Sequence, residues 1–361
     1  MDMAIYGAQG IALSAYAAMH TLFPARKIRC FLVTSREGNP DCLAGLPVWE
    51  LGAFSGMVPD AEKENIEILI ATPQGVMAQI EEGLAKAGFL CHVRLDSKRL
   101  GELMGYYYAS RKEFLPLSAL PVGYHKARLQ VYMVKCHKDR PLTGDCVIPE
   151  WMIPIQAGAA LCRERVADLL DCAGEHISGK NGNYSELTGL YWIWKNRTRE
   201  ETQENGSLYY GLNHYRRIFL LEEDDLFRLA DNEVDVVLPY PMLYEPNIEA
   251  HHARYLHKKD WDALLEALRE LEPEYAEAFG QILREKRLYN YNMILARGQA
   301  LDAYCSWLFP VLERVERLSE PKGDERSDRY IGYMGETLLT LFFRYNKFGF
   351  RIAHAGCRFL V

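Results

Sequence analysis

Short apolar runs alternate with helix-like stretches through the first 115 residues, and this rhythm constrains the fold more than any other feature of the chain. The runs "MAIY", "IRCFLV", "IEILIAT" and "CHVRL" are separated by segments such as 11–23 and 76–87, whose apolar residues recur at helical spacing. Strands that alternate with helices are typical of βαβ units. The sequence therefore predicts an N-terminal Rossmann-like domain with a parallel sheet.

A glycine turn, "GAQG", joins the first predicted strand to the first helix, with Gly7 and Gly10 at its ends. Such a turn can hold a phosphate group at a helix N-terminus, so both glycines are candidates for binding a nucleotide or nucleotide-sugar cofactor. The full G-x-G-x-x-G pattern is absent, and the second strand runs into Thr34, Ser35 and Arg36 where an NAD site needs an acidic residue. The alternative is that the glycines only permit a tight turn.

The periodicity breaks at "LPLSALPVGYHKARLQ" and then restarts, which places a domain boundary near residue 125. We therefore expect a Rossmann-like domain with its linker in residues 1–125 and a second α/β domain in residues 126–361. The second domain has strand-like runs at "LQVYMV", "WMIPI", "LYYGL", "VDVVLP" and "YNMILA", and a helix from about residue 185 to 196. Asp260 is a candidate N-cap for a later helix that Pro273 ends.

Composition excludes several classes of protein. A chain of 361 residues exceeds the usual size of one hydrophobic core, and its net charge of -7 gives no global attraction for nucleic acid. Nine scattered cysteines without a C-x-x-C pair indicate reduced thiols in a cytoplasmic protein. The sequence shows no signal peptide and no run of about eighteen apolar residues. Peripheral attachment at the inner face of a membrane stays open.

The stretch "YYGLNHYRRIF" ends an apolar strand in a basic cluster. Adjacent arginines are costly to desolvate, so Arg216 and Arg217 should face either water or an anion. Ligands of open α/β sheets lie at the carboxyl ends of the strands, where this cluster stands, and two guanidinium groups suit a diphosphate. His214 is a candidate to donate a hydrogen bond or to act on a proton. The alternative is an exposed turn paired with the acidic run "EEDD", residues 222–225.

The stretch "NGNYSELTGLYWIWKN" combines an apolar helix face with polar residues at the helix entrance. Asn181, Tyr184 and Glu186 are candidates for holding the nucleotide or sugar there. Capping by Asn183 and Ser185 would explain part of the pattern without a ligand.

Three histidines lie within seven residues in "HHARYLHKKDW". Adjacent side chains point apart on a helix, so His251 and His252 would share a metal only in an irregular loop. We expect an acceptor-side loop here, with Tyr255 or Trp261 available to stack on a sugar ring.

From about residue 129 onward, the chain resembles a bacterial family of exopolysaccharide and capsule glycosyltransferases that is catalogued largely as a domain of unknown function. The matching motifs occur in order along about two thirds of the chain: "VYMVKCHKDRPL", "IPIQAGAAL", "HISGKNGNYSELTGLYWIWKN", "YYGLNHYRRIF", "DVVLPYP", "YNYNMILARGQALDAYCSWLFPVLE" and "GYMGETLLTLFF".

This resemblance implies a GT-A-like fold and a nucleotide-diphospho-sugar donor. In most enzymes of that fold an Asp-x-Asp motif binds a divalent metal, which neutralises the diphosphate. The run from His214 to Arg217 stands at that place here, which suggests that arginines offset the charge instead. The nearby acid-x-acid triplet, residues 233–235, is more typical of a solvated strand end, and a divalent metal remains an open alternative.

The resemblance also suggests roles for two later residues. Glu336, in "GYMGETLLTLFF", matches a recurring acidic position of the family and is the candidate catalytic base, unless it is an ordinary surface glutamate on a helix. Asn292, in "YNYNMILA", matches the place where such enzymes contact the donor or acceptor sugar.

Together these features predict a glycosyltransferase that moves a hexose from a nucleotide-diphospho-sugar, a UDP-sugar by preference, to a surface polysaccharide or lipid-linked glycan. The alternative is a non-catalytic nucleotide-sugar sensor or assembly module, in which the "GAQG" domain binds the ligand. A nicotinamide-dependent dehydrogenase is the third reading and has only the glycine turn in its favour.

Overall fold

The protein is described by a computed structural model over residues 2–142, 148–198, 208–320, 322–324, 327–347 and 349–360. It is a mixed α/β structure with two large sheets, as the sequence predicts.

The first sheet is formed by the N-terminal 94 residues and has the strand order β3-β4-β2-β1-β5-β6. Its strands are β1 (Asp2–Tyr6), β2 (Ile28–Val33), β3 (Cys42–Leu43), β4 (Leu46–Glu50), β5 (Ile66–Ile70) and β6 (His92–Arg94). All neighbouring strands are parallel except β3 and β4. The central strands are buried on both faces, which explains why they read as continuous apolar runs. The predicted N-terminal parallel sheet is confirmed.

In the described part of the chain, five α-helices lie between the strands of the first sheet or directly after them. They are α1 (Gly10–Leu22), α2 (Leu51–Met57), α3 (Asp60–Lys63), α4 (Met77–Lys86) and α5 (Ser97–Arg111). Two of them, α1 and α5, also pack against strands of the second half of the chain.

The second sheet is mixed and has the strand order β11-β16-β12-β15-β10-β7-β8-β9. Its strands are β7 (Arg128–Lys135), β8 (Met152–Gln156), β9 (Leu169–Leu170), β10 (Leu208–His214), β11 (Arg217–Leu220), β12 (Val236–Pro239), β15 (Ile294–Arg297) and β16 (Ile352–Phe359). A small separate pair consists of β13 (Met242–Leu243) and β14 (Arg287–Leu288). The division of the chain near residue 125 stays a prediction.

The helices of the second half contribute to a large aromatic and aliphatic core, except the helix at residues 223–231, which packs in a separate cluster with Leu117 and Leu120. They are α6 (Asn181–Tyr184), α7 (Leu187–Asn196), α8 (Glu223–Asp231), α9 (Ile248–His252), α10 (Lys258–Leu271), α11 (Pro273–Arg284), α12 (Gly298–Leu318) and α13 (Tyr330–Tyr345). Asp260 is not the N-cap of α10, because the helix begins earlier and His257 takes that position. Pro273 begins α11 rather than only ending α10. No helix of the described ranges is long and apolar enough to cross a membrane.

Several strand ends of the second sheet meet at one edge. β7, β8 and β10 run parallel, so Lys135 pairs with Gln156 and His214 pairs with Val134 at their carboxyl ends. β15 is antiparallel to β10, so it begins at this edge. Side chains that are far apart in sequence are therefore brought together at the position where α/β proteins bind ligands.

A buried histidine fixes the segment that connects the two sheets. The backbone N–H of His354 donates to Leu115 O at 2.8 Å, and its ring Nε2 lies 2.9 Å from the hydroxyl of Tyr289. Phe114 packs edge-on against the ring. Burial lowers the pKa of His354 from 6.5 to about 3.

This histidine should make stability depend on pH. As the pH falls from 6.5 towards about 3, the unfolded chain gains a proton at this ring that the folded protein does not bind, so the free energy of unfolding decreases. We expect His354→Gln to be less stable near neutral pH but to lose less stability on acidification. Urea unfolding at several pH values measures both effects. His20→Gln, at an exposed position, should keep the wild-type slope, and an unchanged slope in His354→Gln would contradict the assignment.

Candidate active site

The basic cluster forms a tight hairpin at the carboxyl end of β10. His214 is the last residue of β10 and pairs with Arg217, the first residue of β11. Tyr215 and Arg216 make the turn between them, and their backbone groups bond to Val134 O and to the N–H of Leu360. These two hydrogen bonds fix the backbone of the turn, and therefore the positions from which the two arginine side chains extend.

Neither arginine at this turn forms an ion pair in contact with a carboxylate of the described residues, although the Arg216 charge opposes the rise that burial causes in the pKa of Asp139. The Nε atoms of Arg216 and Arg217 are buried and have no hydrogen-bond acceptor. The Arg217 guanidinium lies over the ring of Tyr291 at 4.1 Å, and that of Arg216 lies near the ring of Tyr215 at 5.2 Å. Buried donors without an acceptor are uncommon in proteins, so these two Nε atoms are candidates for a partner that the described residues do not supply.

The acidic run at residues 222–225 does not neutralise the arginines. Glu222 and Asp225 form a capping box at the start of α8, and Asp225 also pairs with Arg228. Glu223 pairs with Lys126. The alternative of an exposed basic turn paired with this run is therefore not what the described residues show.

A short strained segment lies beside the hairpin, immediately before β15. Tyr291 and Asn292 have φ angles of +71° and +50°, a region that residues other than glycine seldom adopt. His214 Nε2 lies 2.5 Å from the carbonyl oxygen of Tyr291, which it can reach only as a donor. Non-glycine residues in this conformation persist where their surroundings hold them, and they are frequent at functional sites.

Two carboxylates hold the same segment from different sides. Asn292 Nδ2 donates to Glu186 Oε1 at 2.6 Å, and the backbone N–H of Tyr291 donates to Glu336 Oε1 at 2.8 Å. Glu186 Oε1 also lies 4.0 Å from His214 Nε2. The structure thus brings together His214, Glu186, Asn292 and Glu336, which the sequence proposed separately.

The electrostatics of the cluster favour a neutral histidine. Burial lowers the pKa of His214, and the Arg217 charge lowers it further, whereas Glu186 opposes the shift. Burial also raises the pKa of Tyr291 to about 12. His214 therefore acts as a neutral hydrogen-bond donor to the strained segment near neutral pH.

The two other residues proposed at the helix entrance, Asn181 and Tyr184, bond to other parts of the protein and not to His214 or the strained segment. Asn181 Nδ2 donates to the carbonyl oxygen of Ser185 at 2.7 Å, and Tyr184 is buried with its hydroxyl bonded to Glu316 at 3.0 Å. Ser185, at φ +52°, separates α6 from α7. On either side of it, Tyr184 is buried in the core and Glu186 lies 4.0 Å from His214.

Tyr291 is a site residue that sequence reasoning missed. Its signal was present, since it lies between two asparagines, and asparagine tolerates positive φ better than most residues. The histidine-rich stretch does not form an irregular loop at its start, because His251 and His252 lie in α9. His252 is buried and approaches Glu336 Oε2 at 3.7 Å.

The N-terminal glycine turn borders a separate crevice of about 760 Å³ at the carboxyl ends of β1, β2 and β5. Gly7 lines it with a φ of +125°, and a Cβ there would lie 2.6 Å from Ala71 O. Gly10 points elsewhere: a Cβ on it would lie 3.0 Å from side-chain atoms of Met242 and Tyr244. The backbone conformation and the contact with Ala71 thus require a glycine at position 7, whereas Gly10 allows the two halves of the chain to pack closely.

Within the described ranges, no group of three or more His, Cys, Asp or Glu side chains is arranged to hold a metal ion. In the triplet at residues 233–235, Asp235 Oδ2 accepts a hydrogen bond from the backbone N–H of Arg351. This carboxylate therefore holds the backbone at the start of β16.

The chain is an α/β protein. Two arginines, a histidine and two carboxylates lie close together near the carboxyl ends of its parallel strands. The family model of the domain of unknown function DUF4422 matches residues 131–347. This match covers more than half of the chain, so the chain belongs to the DUF4422 family.

A solved structure supports the same class. The apo structure of WbbM, a bifunctional glycosyltransferase, is similar with a TM-score of 0.53 and 25% sequence identity, over 64% of this chain and 45% of that chain. The chain thus spans less than half the length of WbbM. No curated protein sequence matches. The family match and this similarity confirm the predicted resemblance to a glycosyltransferase-like family.

The amide of Asn292 should contribute to stability as well as to the site. Asn292→Ala removes the donor to Glu186 and to the carbonyl of Gly332 while the strained φ remains. We expect a loss of about 1–3 kcal/mol in the free energy of unfolding, measured by urea titration, because buried acceptors are left unpaired. Asn65→Ala, at an exposed position, should change it little. Equal stability of the two variants would contradict the bracing role.

Proposed function

We propose that this protein is a glycosyltransferase that moves a hexose from a nucleotide-diphospho-sugar to a glycan acceptor. The observation that carries the proposal is the pair of arginines with unpartnered, buried Nε atoms at the carboxyl end of β10. The similarity to WbbM supports the same reaction class. A UDP-sugar is the proposed donor.

In this proposal Arg216 and Arg217 bind the diphosphate. The bond between the anomeric carbon and the phosphate oxygen breaks, and its electron pair leaves with the diphosphate. Guanidinium groups offer several N–H donors to phosphate oxygens and keep their charge at any working pH. Positive charge held in place at the leaving group lowers the barrier to this step.

The sugar is proposed to lie beside the strained segment, where the Arg217 guanidinium already covers the ring of Tyr291 at 4.1 Å. Asn292 Oδ1 is buried and accepts no hydrogen bond from the described residues. A carboxylate takes the proton from the acceptor hydroxyl as the new bond to the anomeric carbon forms. Glu336, proposed from the sequence, and Glu186 are the two carboxylates at this place.

A divalent metal is compatible with this site but is not required by it, because the arginines supply positive charge where an Asp-x-Asp motif would bind a metal. The proposed acceptor is a surface polysaccharide or a lipid-linked glycan. The proposed location is the cytoplasm, with peripheral attachment at the inner face of the membrane.

The second candidate is a nucleotide-sugar sensor or assembly module without catalysis. The observation that favours it is the crevice beside Gly7, which lies at the strand ends where Rossmann-like sheets bind nucleotides. Slow hydrolysis of a donor without acceptor separates the two candidates, since a transferase shows it and a sensor does not.

Calorimetric titration with UDP, in Mn²⁺ and in EDTA, tests the arginine clamp. We expect UDP to bind in EDTA, and Arg216→Ala and Arg217→Ala to weaken binding roughly 10-fold to 100-fold, because each loses charge-assisted hydrogen bonds. Arg314→Ala, which removes a surface ion pair with Glu270, is the matched control and should bind as wild type does. Unchanged affinity in both turn variants would refute the clamp. Binding only with Mn²⁺ would place the charge on a metal instead.

A further inference from the structure

The two carboxylates at the site are held in different ways, and the difference suggests different tasks. Glu336 lies within α13, and both of its oxygens face groups of the protein. Oε1 accepts the backbone N–H of Tyr291 at 2.8 Å, and Oε2 lies 3.7 Å from Nε2 of His252. The His252 ring is only 1% exposed, so Oε2 points towards the helical layer rather than the open strand edge.

Glu186 lies on the other side of the segment, next to the arginine hairpin. It is the N-cap residue of α7, but its side chain makes no capping hydrogen bond. Oε1 accepts from Asn292 and lies 4.0 Å from His214, the residue that ends β10.

The backbone immediately before Glu186 is strained and firmly held. Ser185 has φ +52° and ψ −131°, which a serine seldom adopts. Arg329 Nε donates to its hydroxyl at 2.9 Å, Asn181 donates to its carbonyl, and its own N–H donates to Asn181 O at 2.8 Å. Strain that persists because several contacts enforce it is typical of residues that aim a functional side chain.

We propose that Glu186 is the catalytic carboxylate of this site and that Glu336 is a positioning residue for the Tyr291–Asn292 segment. This inference rests on the proposed transferase function. Glu186 removes the proton from the attacking hydroxyl, whose oxygen forms the bond to the anomeric carbon. The bond to the diphosphate breaks at the same time, and its electron pair leaves with the diphosphate next to Arg216 and Arg217. Glu336 holds the Tyr291 N–H so that the strained segment keeps its conformation.

Glutamine variants separate the two roles, because glutamine keeps a carbonyl oxygen as acceptor but cannot take a proton. Glu336→Gln still accepts the N–H of Tyr291, and Glu186→Gln still accepts from Asn292. The backbone of the site is therefore expected to be intact in both variants, and only one of them should lose the base.

The experiment measures UDP release from UDP-glucose, UDP-galactose and UDP-N-acetylglucosamine, with water as acceptor, across a range of pH. We expect Glu186→Gln to bind UDP within about threefold of wild type but to release it at least ~100-fold more slowly, the usual contribution of a general base. Glu336→Gln should stay within about tenfold of wild type and keep the wild-type pH profile. Glu336→Ala should fall well below Glu336→Gln, so that the conservative variant rescues it.

Full activity in Glu186→Gln would overturn the division of roles. So would loss of activity in Glu336→Gln as severe as that in Glu336→Ala, which would return the base to Glu336. In both cases the transferase function itself would stand. Failure of the wild-type protein to turn over any donor, while still binding UDP, would overturn the proposed function and this inference with it.

Discussion

A strained pair of residues, Tyr291 and Asn292, is the constraint on which the candidate site depends. Both have positive φ angles without being glycine, which is unfavourable in isolation. Polar contacts from three separate elements hold the pair: His214 from β10, Glu186 from the start of α7, and Glu336 from α13. Each of these three side chains is oriented in turn by the segment it holds, so the site forms as a unit.

Contacts between the two halves of the chain extend to the residue next to the strained Tyr291–Asn292 segment. Gly10, at the start of α1, lies against Met242 and Tyr244, and the hydroxyl of Tyr244 accepts a hydrogen bond from Asn290 Nδ2 at 2.8 Å. Ser14 Oγ accepts the N–H of Leu243 at 3.1 Å. The helix that begins at the glycine turn therefore supports β13, which pairs with β14 shortly before the strained segment. A side chain at Gly10 would disturb this contact.

Local patterns predicted some features well and others poorly, for physical reasons. Alternating apolar runs predicted the N-terminal parallel sheet, because a strand buried on both faces needs a continuous apolar stretch. The helix ending at Asn196 was predicted from its apolar face. The prediction of Asp260 as the N-cap of α10 was wrong, because His257 is the N-cap and Asp260 is the third residue of the helix. A capping box has a polar residue at both of these positions, so either one could be taken for the cap.

The sequence by itself determined the α/β class, the strand that carries His214, and the presence of two adjacent arginines at its end. The class and the strand follow from the spacing of apolar side chains along the chain, and the interest of the arginines follows from the cost of burying their charge. Only the tertiary structure decided that Glu186 and Glu336, 150 positions apart in the printed sequence, hold one segment, and that Tyr184 belongs to the core. Both arrangements depend on the positive φ of Ser185 and on the order of the strands in the sheet. These features arise from contacts between distant residues and leave no periodic signal in the sequence.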